Sequence, residues 1–277
     1  MPTATQASNK IVYMKPPHGI LFDLDGVIYH GETPIPGAAG TIAWARTEQV
    51  PFLFVTNTTS RPRQTLVDKL SAMGIPASVD DIWTPSVAAN LWLREQEAEP
   101  VALFVPAATV EEFSDVATLD TDAEQGAKAV VIGDLGEAWD FATLNRAFRL
   151  LHSAPETILI ALGMTRYWMS PSGPSLDVAP FVAALEHATS REAVVLGKPA
   201  QAFFDAAALK LGIATTDLLM IGDDIRTDIG GAQHAGLRGA LVKTGKFRPS
   251  DLDGNVRPAL VLDSIADLRK WWAQAAK

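Results

Sequence analysis

From Gly19 onward, short runs of consecutive apolar residues alternate with longer stretches in which apolar positions recur every three or four residues. Residues 19–22, running into Asp23, and residues 51–55 are too short and too continuously apolar for surface helices, so they predict buried strands. Between them, residues 38–49 suit a helix. After Thr56-Asn57-Thr58-Thr59, Ser60 is placed to cap a helix with Pro62 in its first turn, Leu66, Leu70 and Met73 on its apolar stripe, and Gly74 at its end. The middle of the chain repeats the alternation, with strands expected at 101–105, 129–132 and 158–162 and helices at 87–97 and 141–151. The last third adds strands at 193–196, 218–221, 239–242 and 260–262, with helices at 200–211, 228–235 and 265–272. Such alternation predicts an α/β protein with a parallel sheet covered on both faces. Residues 1–16 are polar and read as a loose lead-in, and no internal repeat or low-complexity linker interrupts the pattern.

Composition narrows the classes. The 277 residues, 48% apolar and 20% charged, are enough for a substantial core and exclude a disordered or fibrous chain. No window holds the ~18 uninterrupted apolar residues of a spanning helix, and MPTATQASNK lacks the basic-then-apolar pattern of a secretory leader. A cytoplasmic protein without membrane contact is the expectation. The absence of cysteine excludes disulfides, thiolate metal sites and a cysteine nucleophile. The net charge of −9 is carried by the middle segment, with 14 acidic and 5 basic residues between Ser86 and Leu185 and 18 of each sign elsewhere. An acidic face repels phosphate backbones, so nucleic acid is not an expected partner; solubility accounts for the imbalance.

In open parallel sheets, ligands bind beyond the carboxyl ends of the strands. Polar clusters fall after four of the predicted strands. Asp23-Leu24-Asp25-Gly26 sets two carboxylates at the end of the first strand, where burial demands a cation or a proton, and Gly26 allows a turn sharp enough for both acids to face one pocket. Thr56-Asn57 follows the second strand and offers a hydroxyl and an amide to a phosphoryl oxygen. Gly197-Lys198-Pro199 places a lone lysine between a strand and a helix, where it can neutralise a phosphate or a carboxylate pair. Gly222-Asp223-Asp224-Ile225-Arg226-Thr227-Asp228 puts three acids within six positions. Asp228 is explained as a helix cap, whereas Asp223 and Asp224 repel each other unless something positive sits between them.

Taken in order, the four clusters resemble the motif set of the haloacid dehalogenase (HAD) superfamily, over essentially the whole chain from Gly19. Their spacing is similar to the subclass with a large α/β cap inserted between the second and third motifs, which includes nitrophenyl phosphatase-like proteins. Residues 54–59 (FVTNTT), 144–151 (LNRAFRLL) and 241–246 (LVKTGK) look like the branch holding phospholysine phosphohistidine inorganic pyrophosphate phosphatase and its HAD hydrolase-domain relatives. The resemblance implies that Asp23 is the nucleophile and becomes a phosphoaspartate. It implies that Asp25 protonates the leaving oxygen and then activates water. Mg²⁺ would be held by the Asp23 carboxylate, the Asp25 main-chain carbonyl and Asp223. Thr56 and Lys198 would bind phosphoryl oxygens, Lys198 also restraining Asp23, with Asn57 supporting the phosphate site through its backbone. Asp224 and Asp228 would stand behind these, holding metal waters or Lys198.

The expected architecture is a Rossmann-like, doubly wound core made of residues 1–85 and 186–277, interrupted by an α/β cap at 86–185. The expected activity is Mg²⁺-dependent hydrolysis of a phosphorylated small molecule, with phosphohistidine, phospholysine or pyrophosphate as alternative substrates. A non-catalytic phospho-ligand module and a phosphotransferase are the rival classes, and a nucleotide-cofactor enzyme is disfavoured because no G-x-G-x-x-G or Walker-type run follows any strand. A homodimer follows from the resemblance alone. Large-cap relatives often carry Asn-x-Asp in the cap loop, where this chain has Ala161-Leu162-Gly163-Met164-Thr165-Arg166-Tyr167-Trp168. The loop at 163–175 is the expected specificity element. Its one basic residue, Arg166, beside the rings of Tyr167 and Trp168, would grip a second anionic group or stack on a planar leaving group. His30 reads as a loop histidine outside the chemistry.

Overall fold

Alternate residues of β1 (Gly19–Asp23) enter different apolar clusters, Ile20 and Phe22 on one side and Leu21 on the other, so the strand is buried on both faces as its unbroken apolar run predicts. The structure, a computed structural model, describes residues 15–170 and 172–275, which leaves most of the polar lead-in outside the described residues. After β1 come the short hairpin β2 (Tyr29–His30) and β3 (Thr33–Pro34), α1 (Ala38–Thr47), β4 (Phe52–Val55), α2 (Arg63–Ala72), β5 (Ile82–Trp83) and α3 (Pro85–Glu95). A second run holds β6 (Val101–Phe104), β7 (Ala129–Ile132), α4 (Phe141–Ser153), β8 (Ile158–Ala161), the hairpin β9 (Tyr167–Ser170) and β10 (Gly173–Leu176), α5 (Val178–Thr189) and β11 (Val194–Val195). The chain closes with α6 (Gln201–Leu211), β12 (Leu218–Gly222), α7 (Gly231–His234), β13 (Arg238–Val242), β14 (Leu260–Leu262) and α8 (Leu268–Ala275).

Two wholly parallel sheets result, one ordered β14-β13-β12-β1-β4-β5 and the other β11-β8-β7-β6. In the six-stranded sheet the chain winds outward from β1 through β4 to β5, then returns to the other side of β1 as β12. The carboxyl ends of β1 and β12 therefore flank the switch point at which an open α/β sheet has its crevice. Asp23 ends β1 and Asp223 follows β12.

The expected cut after Leu185 falls inside α5, and Val194 and Val195 pair with Ile160 and Ala161 of β8. An apolar run predicts a strand but not which sheet edge receives it. The second sheet thus holds the chain as far as Val195, and Lys198 reaches the crevice from that sheet, not from the first. The segment at 163–175 is largely the hairpin β9–β10, not a loop. Helix α5 was hidden by Pro180, which sits in its first turn; its N-cap, Asp177, accepts the Val178 N–H at 2.7 Å. Helix α2 starts at Arg63, after an extended Pro62, so Ser60 is not its cap.

One apolar layer joins the sheets. Leu21, Leu53 and Met220 of the first sheet share a cluster with Val101, Val131 and Ile160 of the second, bridged by Ala89 and Leu93 of α3 and Phe203 and Phe204 of α6. The opposite face of the first sheet is covered by α1, α2 and α8, and that of the second by α4 and α5. Among the described residues no helix is long and apolar enough to cross a membrane.

Candidate active site

Three carboxylates and one ammonium meet in the crevice. Lys198 Nζ lies 2.6 Å from Asp23 Oδ1 and 2.7 Å from Asp228 Oδ1, and all three residues are buried. Asp23, Asp223 and Asp228 each place a carboxylate oxygen within 4.8 Å of the others. Burial, then the charge of Asp228, pushes the Asp23 carboxyl up to about 7 against the pull of Lys198. Burial also raises Asp223. Burial alone would lower Lys198, but Asp228 and Asp23 outweigh it and keep the amine protonated. One lysine among three buried acids leaves the site short of positive charge.

The polypeptide fixes each group separately. Asn57 Nδ2 donates to the Lys198 carbonyl at 2.8 Å, and Asn57 Oδ1 accepts the Lys198 N–H at 2.8 Å. The Asn57 side chain is thereby paired with the backbone of Lys198 on both its oxygen and its nitrogen, so it positions the lysine. Thr56, at the end of β4, is buried with its hydroxyl 3.0 Å from that of Thr58. Asp228 is no helix cap. Its Oδ1 faces Lys198 and its Oδ2 accepts the Asp224 N–H at 3.1 Å. The cap is Asp224, whose Oδ1 accepts from Arg226 N and Thr227 N at 2.9 and 3.1 Å. Burial opposes ionisation of Asp224, but the Thr227 and Arg226 amides outweigh it and hold the carboxyl below its usual range. The helix expected at 228–235 begins earlier, as a wide turn over Ile225–Gly230 in which Ile229 N donates back five residues to Asp224 O. That extra width turns Asp228 inward.

Asp223 has a cradle that the four clusters did not include. Its Oδ2 accepts the Lys246 N–H at 2.7 Å, and Thr244 Oγ1 donates to the Gly26 carbonyl, tying the 244–246 loop to the turn after β1. A Cβ at Gly26 or Gly245 would stand 2.1 or 2.0 Å from Asp223 Oδ2, and both glycines have positive φ (+87° and +64°), so neither position admits a side chain. Asp223 Oδ1 is buried with no hydrogen-bond partner. An orphaned carboxylate oxygen among acids, with only oxygen donors nearby, fits a hard divalent cation. Residues 241–246 stood out only through the resemblance; Thr-Gly-Lys after a predicted strand was the available signal.

Asp25 lies apart from this cluster. Its side chain is 70% exposed, with Oδ1 3.7 Å from His30 Nδ1, so the two acids do not share one buried pocket and the histidine expected to stand aside is Asp25's neighbour. Beside the crevice opens a cavity of about 250 Å³ that shares Asn57 with it. Thr58 and Arg61 form one wall, and Asp134, Thr165, Trp168 and Asp177 form the other. Arg166 and Tyr167 do not line it. Both are exposed, and Arg166 forms no salt bridge among the described residues. Neighbours in a strand point to opposite faces, which explains how Trp168 reaches the cavity while Tyr167 does not. Trp168→Ala is accordingly expected to lower kcat/KM for 4-methylumbelliferyl phosphate by ~2–10-fold, the worth of one aromatic contact. Arg166→Ala should change it less than about twofold. Steady-state kinetics of the two variants decide between these positions.

A buried acid at the end of β1, a lysine held between it and a second acid, and a carboxylate cluster that fits a divalent cation, gathered at the switch point of a parallel sheet, are the arrangement of a phosphoryl-transfer enzyme of the HAD type. The family profile of haloacid dehalogenase-like hydrolases matches residues 20–118, and a HAD-hydrolase-like profile matches residues 195–268. Haloacid dehalogenase-like hydrolase domain-containing protein 2 of Bos taurus is 39% identical over 248 residues, 89% of this chain and 92% of the relative. Phospholysine phosphohistidine inorganic pyrophosphate phosphatase of Homo sapiens is 37% identical over 237 residues, 84% of this chain and 85% of its own. Among solved structures, the p-nitrophenyl phosphatase of Archaeoglobus fulgidus superposes with a TM-score of 0.81 at 26% identity, covering 92% of this chain and 99% of that one. The chain belongs to the haloacid dehalogenase-like hydrolases and stands among their phosphatases.

Proposed function

We propose that this enzyme is a Mg²⁺-dependent phosphatase that hydrolyses a phosphorylated small molecule through a phosphoaspartate on Asp23. The observation that carries this reading is the orphaned Asp223 Oδ1 beside the Asp23–Lys198–Asp228 bridge. Asp23, Asp223 and the Asp25 main-chain carbonyl would hold the ion, which when bound neutralises charge on the transferring phosphoryl group. Asp228, with both oxygens engaged, serves the lysine instead.

Lys198 has three N–H donors, of which two are spent on Asp23 and Asp228; the third is left for a phosphoryl oxygen. With one Asp23 oxygen held by Lys198, the other attacks phosphorus. The Asp23 O–P bond forms as the bond to the leaving oxygen breaks, and Asp25 passes its proton to that oxygen. Asp25 then takes a proton from water, whose oxygen attacks phosphorus, releasing inorganic phosphate and restoring the Asp23 carboxylate. The exposed position of Asp25 at the mouth suits a group that must meet first the leaving oxygen and then solvent. The cavity beyond Asn57 would take the leaving group.

A second reading, cleavage of phosphohistidine, phospholysine or pyrophosphate, is favoured by the 37% identity to a phosphatase named for those substrates. A turnover screen of phosphorylated metabolites with Mg²⁺, run beside pyrophosphate and phosphohistidine, tests both. EDTA should silence the enzyme and Mg²⁺ restore it, while Asp223→Ala should raise the Mg²⁺ required by about 10–100-fold. Unchanged turnover in EDTA would remove the metal from the mechanism.

A further inference from the structure

Glu112 belongs to the segment Ala107–Phe113 that follows β6 of the second sheet, yet its carboxylate serves the first. Oε1 accepts the main-chain N–H of Arg63 at 2.9 Å, and Oε2 accepts Arg63 Nε at 2.6 Å. Arg63 Nη1 donates to the Val79 carbonyl at 3.0 Å, and the Glu112 carbonyl accepts from Asn90 Nδ2 of α3 at 2.8 Å. The Glu112 side chain is only 6% exposed in an otherwise solvated acidic stretch.

Arg63 is the first residue of α2, and Pro62 before it supplies no side-chain cap. The helix therefore takes the anion for its N-terminus from the other sheet's segment. Between β4 and α2 run residues 56–62, which carry Thr56, Asn57, Thr58 and Arg61. Near its start this loop is clamped through Asn57 to Lys198, and at its end through Arg63 to Glu112. The first clamp fixes the phosphoryl site. The second fixes the far part of the loop, which forms one wall of the 250 Å³ cavity, against the unit that supplies the other wall.

We infer that Glu112 is a positioning residue for leaving-group recognition: by holding Arg63 it sets the spacing between Thr58 and Arg61 and the facing Asp134, Thr165 and Trp168. This rests on the reading of that cavity as the leaving-group site. A buried ion pair is a poor source of stability compared with apolar packing, but the two directional hydrogen bonds from Arg63 to Glu112 hold the start of α2 at one position against the second sheet's segment. The phosphoryl site does not depend on it, because the Asn57 clamp is separate.

The test compares Glu112→Gln and Glu112→Ala on a bulky ester, 4-methylumbelliferyl phosphate, and a small acyl phosphate, acetyl phosphate, with inhibition by inorganic phosphate as a measure of the phosphoryl site alone. Glu112→Ala is expected to raise KM for the bulky ester about tenfold with kcat within about twofold. KM for acetyl phosphate and Ki for inorganic phosphate should stay within about twofold of the parent. Glu112→Gln, which keeps the volume and one acceptor, should fall between parent and Glu112→Ala, and it carries the test if the alanine variant does not fold. Hydrogen exchange should quicken at Arg63, whose amide Glu112 holds, and in the first turn of α2 in both variants, and stay unchanged at Asn57. Equal losses on both substrates, a fall confined to kcat, or unaltered kinetics would each overturn the assignment. If the parent hydrolyses neither compound, the reading of the cavity as a leaving-group site for such substrates fails on its own. Hydrogen exchange at Arg63 and the first turn of α2, with unaltered phosphate binding, then decides the positioning role.

Discussion

Asp23→Asn is expected to lower turnover by ~10⁴-fold or more while leaving the fold intact, since an amide is a very poor nucleophile toward phosphorus. The substitution is nearly isosteric, and Lys198 Nζ can still donate to the amide oxygen in place of Asp23 Oδ1, so the packing around β1 has no reason to change. Rapid acid quench followed by peptide mass analysis should find a phosphoryl adduct on the peptide carrying residues 19–24 in the parent and none in the variant. Undiminished turnover in a clean preparation would remove the covalent step, and an adduct on any other residue would move the nucleophile.

Lys198→Met is expected to lose both stability and activity. The ammonium is the only cation within hydrogen-bond reach of Asp23 and Asp228 among the described residues, and all three groups are buried. Removing one partner of a buried ionic group while its acids remain typically costs about 3–5 kcal/mol. Turnover should fall by about 10³-fold, because a donor to the phosphoryl oxygens goes with it. Adding Asp228→Asn separates the two effects. That second change removes one of the two carboxylate charges left unpaired, so urea unfolding should recover part of the lost stability while turnover stays low. A single variant with parental stability would show that the acids are neutralised by another route.

What could be read from residue order was local chemistry. Asp23-x-Asp25, Thr56-Asn57, Lys198 and Gly222-Asp223-Asp224 each follow an apolar run, and a polar cluster at a strand end identifies itself without knowledge of its partners. Which sheet a strand joins is not local. Val194 and Val195 read correctly as a strand, yet their pairing with Ile160 and Ala161 moves the end of the second sheet ten residues beyond Leu185. The exchange of roles between Asp224 and Asp228 has the same origin: capping was assigned from spacing, whereas one extra residue in the turn decides which acid faces inward. Tyr167 stands beside Arg166 in the sequence reading, but strand alternation in a hairpin aims its neighbour Trp168 at the cavity, and Arg166, which precedes the strand, does not line it. Glu112 had no signal. One glutamate in an acidic segment looks like any other until the fold brings it 49 positions across the chain to Arg63.

The shared apolar layer between the sheets has a thermodynamic consequence. Ala89 and Leu93 of α3 and Phe203 and Phe204 of α6 bury part of each sheet's inner face at once, so neither unit can lose its packing without exposing the other. The two halves of the molecule are therefore coupled in unfolding, and the free energy of any ligand bound at Asp23 and Asp223 is felt across the whole chain, including residues that never approach it. A cavity opened at Phe203 would be a defect of both units, inherited by Asp23 at the end of β1 and by the cavity wall of the second sheet together.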